Sequence, residues 1–263
     1  MPSWGMTRVD LPAYDIIGIR APNAGPYTLS GTNSWLVGRD PAWLVDPGPA
    51  VESHIDALSA ELWRRGGLGG IALTHEHIDH AEAAPALQRR FPHALLAAAR
   101  ASADAVLSDG SAIGPLIALR TPGHTQDHVA FVFGEVGLTG DAVLGEGSVF
   151  IYPDAGALAG YLDALARLSK LQLSLLCPGH GPVVHEPAVK LAQYIAHRLD
   201  RERRLVAALA AGSRSVRDLL DDVWADAPAA LRSAAAVTLA AHLDKLEDEG
   251  RLPEGVERPR GWA

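Results

Sequence analysis

Residues 74–80 read Thr74-His75-Glu76-His77-Ile78-Asp79-His80 and place three imidazoles and one carboxylate within six positions, directly after the apolar run Ile71-Ala72-Leu73. Zinc and similar borderline cations prefer this donor set. In an extended segment the two-residue period puts His75, His77 and Asp79 on one face and turns His80 elsewhere, so one loop at a strand end could feed two ions. Glu76 alternates off the ligand face and reads as an exposed or supporting residue.

Three further segments repeat one form. Thr121-Pro122-Gly123-His124-Thr125, Leu138-Thr139-Gly140-Asp141 and Cys177-Pro178-Gly179-His180-Gly181 each end an apolar run in a glycine turn with a His or Asp beside it. That pattern is expected where strand ends surround a site. The candidate ligands then number seven, about what two ions sharing one bridging carboxylate require.

The ordered set His-x-His-x-Asp-His, His, Asp, His resembles the metallo-β-lactamase superfamily. The stretch from Pro22 to Gly38, Leu44-Val45-Asp46-Pro47-Gly48 and the stretch from Leu138 to Gly147 are similar to lactamase-like hydrolases and endoribonucleases that carry a C-terminal winged helix. The metal motif is also similar to that of glyoxalase II. The resemblance covers most of the chain. It implies His75, His77 and His124 on one metal, Asp79, His80 and His180 on the other, and Asp141 between them. It also implies two zinc ions per chain, with iron or manganese as alternatives, and a bridging hydroxide as nucleophile. Asp79 is then both a ligand and the catalytic carboxylate that orients or shuttles the water's proton. One departure is that Ala81 and Glu82 stand where many relatives carry a Gly pair. No serine nucleophile elbow, Walker loop or dinucleotide fingerprint appears in a fitting context.

Specificity would come from the loops Pro22 to Asn33 and Glu146 to Asp154, with Asn33, Phe150 and Tyr152 as substrate-loop candidates. The second loop is a glycine-flanked apolar segment suited to an acyl or aromatic group. The leading expectation is a hydrolase of small esters, thioesters or lactones. A single-strand endoribonuclease with RNA as partner is one alternative; a di-iron, non-hydrolytic metal protein is another. His54, His93, His185, His197 and His242 read as structural or solvated. His128 opens a strand four residues after His124 and reads as a supporting or structural residue.

The elements needed to hold these residues follow from pattern. Strands are predicted at Asp15–Arg20, Thr32–Val37, Ala42–Val45, Ile71–Leu73, Ala94–Ala98, Leu116–Leu119, His128–Phe133, Val136–Thr139 and Leu173–Cys177. Helices are predicted at Val51–Arg65, Pro85–Phe91 and Ala155–Leu168. Two strand-rich halves with helices outside imply an α+β, four-layer αβ/βα sandwich, which is also the fold the resemblance implies. Beyond Pro187 the chain turns helical. Val189–Ala211 is stopped by Gly212, a short helix to Leu220 is capped by Ser215, and Ala229–Glu249 precedes an extended tail. This resembles a winged helix, so the expected domains are 1–196, catalytic, and 197–263, winged-helix-like.

Composition narrows the partners. The 263 residues are 48% hydrophobic with a net charge of −8, which allows a large core and does not favour nucleic acid. From His197 onward eleven cationic side chains face twelve anionic ones. The helical module therefore reads as an element that packs on the catalytic domain or on a second subunit, a homodimer being one partner state this allows, ahead of a duplex-binding one. Met1 to Asp10 has no apolar core of a signal peptide, and no run of about 18 apolar residues occurs anywhere; the expectation is a cytoplasmic protein with no membrane partner. Cys177 is the only cysteine, which excludes an intramolecular disulfide and suits a buried core position.

Overall fold

The computed structural model describes residues 7–259. Arg260, counted among the C-terminal cations, and Met1 to Met6 of the amino-terminal stretch lie outside them. The chain divides into two compact units. The first comprises Met1–Thr121, Asp127–Gly147 and Gln172–Pro187. The second comprises Pro122–Gln126, Ser148–Leu171 and Ala188–Ala263.

The first unit holds two mixed sheets. The larger runs β1 (Arg8–Leu11), β2 (Ile16–Arg20), β3 (Asn33–Val37), β4 (Ala42–Val45), β5 (Leu68–Ala72), β6 (Leu95–Ala98) and β7 (Ala105–Val106) in spatial order. Its first three pairings are antiparallel and its last three parallel. The smaller sheet has the order β12 (Leu175–Pro178), β11 (Val136–Gly140), β10 (Val129–Phe133), β9 (Leu116–Arg120) and β8 (Ala112–Ile113). Only the β11–β12 pairing in it is parallel.

Strand alternation sorts the apolar residues into two cores. Trp35, Val37, Trp43 and Val45 join Phe131, Leu138 and Cys177 in one cluster between the sheets. Their neighbours Leu36 and Leu44 point the other way, into a cluster with Ile55, Leu58 and Leu62 of α1 (Glu52–Arg64) and Leu87 of α3 (Ala84–Arg90). β3 and β4 are covered on both faces and buried at every position; β4 is accordingly a continuous apolar run, whereas β3 opens with buried Asn33 and Ser34. Burial pushes the Cys177 thiol far above its ordinary value, so this cysteine is an inert core residue, as its sequence context suggests.

One expectation about the ligand segment needs correction. Residues 78–81 are not extended: α2 (Ile78–Ala81) is a single helical turn, closed by His80 and Ala81 N–H groups donating to His77 O at 2.9 and 3.0 Å. Asp79 and His80 therefore leave the strand direction together, and His80 faces the interior because the chain coils rather than because of a strand period.

In the second unit α4 (Ala157–Leu168), α5 (Pro187–Ala210), α6 (Val216–Val223) and α7 (Arg232–Asp248) are the helices. Helix α5 runs without a break through residues 196 and 197, where the sequence reading divides the chain. It stops at Gly212, whose φ of +103° closes the end while Ser213 N–H donates to Ala208 O at 3.0 Å. Ser215 caps α6 by accepting from Asp218 N–H. Leu205, Leu219, Val223, Leu239, Leu243 and Leu246 form the core of this helical module. After Gly250 the chain folds back without a strand among the described residues, with Glu257 N–H on Arg214 O.

Candidate metal centre

Three of the four ligand segments occupy the first unit, at the ends of β5, β11 and β12, and their side chains converge. His75, His80 and Asp141 form one group whose donor atoms lie within 4.8 Å of one another; Asp79, His80 and His180 form another. His80 Nε2 lies 3.2 Å from His180 Nε2, 3.6 Å from Asp79 Oδ2 and 3.5 Å from Asp141 Oδ1. Two glycines allow this approach. A Cβ on Gly179 would sit 2.6 Å from Asp141 Oδ1 and 2.7 Å from His80 Cε1, and one on Gly140, at φ +47°, would meet Thr74 at 2.5 Å.

The hydrogen bonds behind the rings fix which nitrogen carries a proton. Buried Asp46, at φ +52°, accepts from Thr74 N–H at 2.8 Å and Thr74 Oγ1–H at 2.7 Å, and its Oδ2 meets His80 Nδ1 at 2.8 Å. A carboxylate only accepts, so His80 Nδ1 carries a proton and Nε2 is the nitrogen that faces the site. Because Thr74 spends its hydroxyl proton on Asp46, its oxygen receives His75 Nδ1–H at 3.0 Å. His75 Nε2, unprotonated, then faces His77 Nδ1 at 3.0 Å. His180 Nδ1 donates to Gly31 O at 3.4 Å, which again leaves Nε2 for the site. His128 accepts Asp141 N–H on Nε2 at 3.1 Å and donates through Nδ1 to Thr121 Oγ1 at 2.7 Å; it is a supporting residue that holds the Asp141 backbone.

Ring nitrogens and two carboxylates facing one point attract positive charge. Burial opposes a charge on His180, yet Asp141 and Asp79 outweigh it and lift the imidazole up to about 10. His80 is likewise raised against its burial by Asp141 and Asp46. Two extra protons 3.2 Å apart would repel, so the pair's shared direction is attraction for one cation at this point. Burial and the His180 and His80 contacts compete at Asp79, and the contacts hold its carboxyl below the usual range. The donor chemistry fits divalent metal ions.

The remaining candidates have surroundings of their own. His124 belongs to the second unit, on the loop Pro122–Gln126, with Nδ1 3.2 Å from Phe150 O and its ring 5.1 Å from Phe150 and 6.3 Å from Tyr152. Phe150 and Tyr152 are half-buried and 5.5 Å apart. Asn33, expected on a substrate loop, is instead the buried first residue of β3. Its amide donates to Pro178 O at 3.1 Å and Gly181 O at 2.9 Å, so it staples the turn that carries His180. Glu76 is exposed and paired with Arg100. Ile78 is 68% exposed although it sits between His77 and Asp79. His54 is buried against Ser34 Oγ, and burial lowers it to about 4; His93 and His185 are exposed. Sequence reasoning missed Asp46 and Thr74 as functional residues. The signal was a carboxylate closing a fully apolar strand, Ala42-Trp43-Leu44-Val45, with no cation nearby in sequence.

Comparison with known proteins agrees with this geometry. Residues 27–105 match the family described as the metallo-beta-lactamase superfamily, and residues 215–262 match the beta-lactamase associated winged helix domain. The chain is 32% identical over 249 residues to a beta-lactamase-like protein 2 homolog of Caenorhabditis elegans, covering 87% of this chain and 82% of the relative. It is also 32% identical to an atrochrysone carboxyl ACP thioesterase of Aspergillus chevalieri, covering 81% and 74%. The crystal structure of a beta-lactamase domain protein from Burkholderia ambifaria superposes with a TM-score of 0.75 at 21% identity, over 97% of this chain and 94% of that one.

Proposed function

Because the chain belongs to the metallo-β-lactamase superfamily, we propose that it is a dinuclear zinc hydrolase of small esters, thioesters or lactones. The observation that carries this reading is the convergence of His80 Nε2, His180 Nε2, Asp79 and Asp141 on one point. In this reading His75, His77 and His124 hold one ion, Asp79, His80 and His180 the other, and Asp141 serves both. The bound ions supply Lewis acidity, so attack on a carbonyl needs no histidine base at neutral pH. Asp79 accepts and passes the proton released there. Asp46, Thr74 and the Gly31 carbonyl keep the ligand tautomers from inverting during turnover.

The substrate class rests on apolar surface. Ile78 projects to solvent between two ligands, and Phe150 and Tyr152 offer half-buried rings beside His124; these suit an acyl chain. A relative named as an acyl-carrier thioesterase accords with thioesters. No described helix is long and apolar enough to cross a membrane.

The test is a panel of thioester, lactone and single-stranded RNA substrates, run on protein as purified, after chelation, and after zinc is returned. Thioester or lactone turnover should disappear with the metal and return with zinc. Turnover that persists after elemental analysis finds no metal refutes the mechanism. Cleavage of RNA alone would replace this reading with an endoribonuclease, and an iron content with a visible absorption band and no hydrolysis would replace it with a redox protein.

A further inference from the structure

The C-terminal helices share a compact unit with the loop that carries His124 and with the segment that carries Phe150 and Tyr152. Residues 148–154 have no regular secondary structure, so their backbone groups need partners from elsewhere. Three consecutive residues find them in side chains. Val149 O accepts from Arg198 Nη2 of α5, Phe150 O faces His124 Nδ1, and Ile151 N–H donates to Thr238 Oγ1 of α7 at 3.2 Å. Thr238 Oγ1–H donates to Ala234 O at 3.2 Å. Val149, Ile151, Arg198 and Thr238 are all buried, and the Arg198 guanidinium lies over the Tyr161 ring at 5.5 Å.

From this geometry we propose that Arg198 and Thr238 are positioning residues for His124, and that the C-terminal module acts on the site by holding the Val149–Tyr152 segment. A backbone carbonyl only accepts, so the Phe150 oxygen keeps the proton on His124 Nδ1 and Nε2 unprotonated, the state a metal requires. Helices α5 and α7 fix that carbonyl from both sides. The same grip sets the Phe150 and Tyr152 rings beside His124. The inference rests on His124 being a ligand, and it gives the winged-helix module a role that needs no nucleic acid.

Thr238→Val removes the acceptor for Ile151 N–H with little change of shape, and Thr238→Ser restores it. Zinc affinity of the intact protein is measured by competition with a chromophoric chelator, and the His124 tautomer by 15N shifts of the metal-free protein. Thr238→Val should weaken one of the two ions about tenfold and leave the other near wild type. It should also mix the His124 tautomers and raise KM for apolar thioesters more than it lowers kcat. Thr238→Ser should recover most of the affinity, and Arg198→Lys, which keeps a donor for Val149 O, should retain more of it than Arg198→Ala. Leu243→Ala, which disturbs the module core without touching the segment, is the control. Wild-type zinc affinity and an unmixed tautomer in Thr238→Val overturn the inference. So does an equal loss in Leu243→Ala, which would make the effect general instability. If His124→Ala itself bound both ions as wild type, the ligand assignment would fail instead.

Discussion

Replacing Asp46 by Asn tests whether tautomer control sets metal affinity. The carboxylate accepts three hydrogen bonds, from Thr74 N–H at 2.8 Å, Thr74 Oγ1–H at 2.7 Å and His80 Nδ1–H at 2.8 Å. Asparagine has one oxygen. With its NH₂ toward His80 it forces that ring to accept on Nδ1 and to carry its proton on Nε2, the nitrogen aimed at Asp79, Asp141 and His180. With the NH₂ reversed it sets donor against the buried Thr74 N–H. Either orientation loses the arrangement, and loss of such an outer partner typically costs 10- to 100-fold in affinity, about 1.4–2.7 kcal/mol. The assay is competition with a chromophoric chelator, resolving two sites, at pH 7.5. Asp46→Asn should weaken the ion held by His80 by that factor. Glu76→Gln, which removes an exposed charge paired with Arg100, should change neither. Two wild-type affinities in Asp46→Asn, or an equal loss in Glu76→Gln, would refute the tautomer argument.

Asp141→Ala should cost both ions, because the proposed bridge serves each, whereas His180→Ala should mainly empty the Asp79/His80 side; elemental analysis of the two variants, taken with the affinities, separates these outcomes. His242 supplies a pH prediction. It is fully buried and neither ring nitrogen has a hydrogen-bond partner among the described residues. Burial, helped by Arg198 and Lys245, lowers it to about 3. Its ordinary value is 6.5, so between those limits the unfolded chain binds a proton that the folded chain refuses. The resulting stability is present above pH 6.5 and is lost as pH falls toward 3, by at most about 2 kcal/mol at pH 5. His242→Leu should therefore raise the midpoint of thermal unfolding more at pH 5 than at pH 7.5; an equal shift at both would show that protonation plays no part.

How far the sequence could be read follows from where each residue's information lies. Strand β4 is a continuous apolar run, β3 ends in the apolar Trp35-Leu36-Val37, and α1 carries Ile55, Leu58 and Leu62 on one buried face. Their local pattern suffices to place them. The turn α2 is not legible, because Ile78-Asp79-His80-Ala81 has no periodicity of its own and coils through backbone bonds to His77 O and Ile78 O. β7 and β8, two residues each, exist only by pairing with longer neighbours. The same division runs through the site. The types and spacing of His75, His77, Asp79 and His80 announce metal chemistry without a structure. Asn33 could not be assigned from sequence, since its partners, the carbonyls of Pro178 and Gly181, lie more than a hundred residues away.

The residues that sequence hid share a role. Asp46, Thr74 and the Gly31 and Phe150 carbonyls touch the ligands from behind, and nothing in their local sequence marks that role. Each decides where a proton sits. His75, His80, His180 and His124 all have Nδ1 beside an oxygen, and in each case that oxygen holds a proton on Nδ1, so that Nε2 is the nitrogen able to give its lone pair to a cation. A ring with the opposite tautomer would present N–H to the cation and bind nothing. The ligand motif therefore states which elements can hold metal, while the folded chain behind it determines whether they do. Oxygens from β4, the Gly31 turn and the segment fastened by α5 and α7 all take part, so affinity should respond to substitutions in regions that carry no ligand.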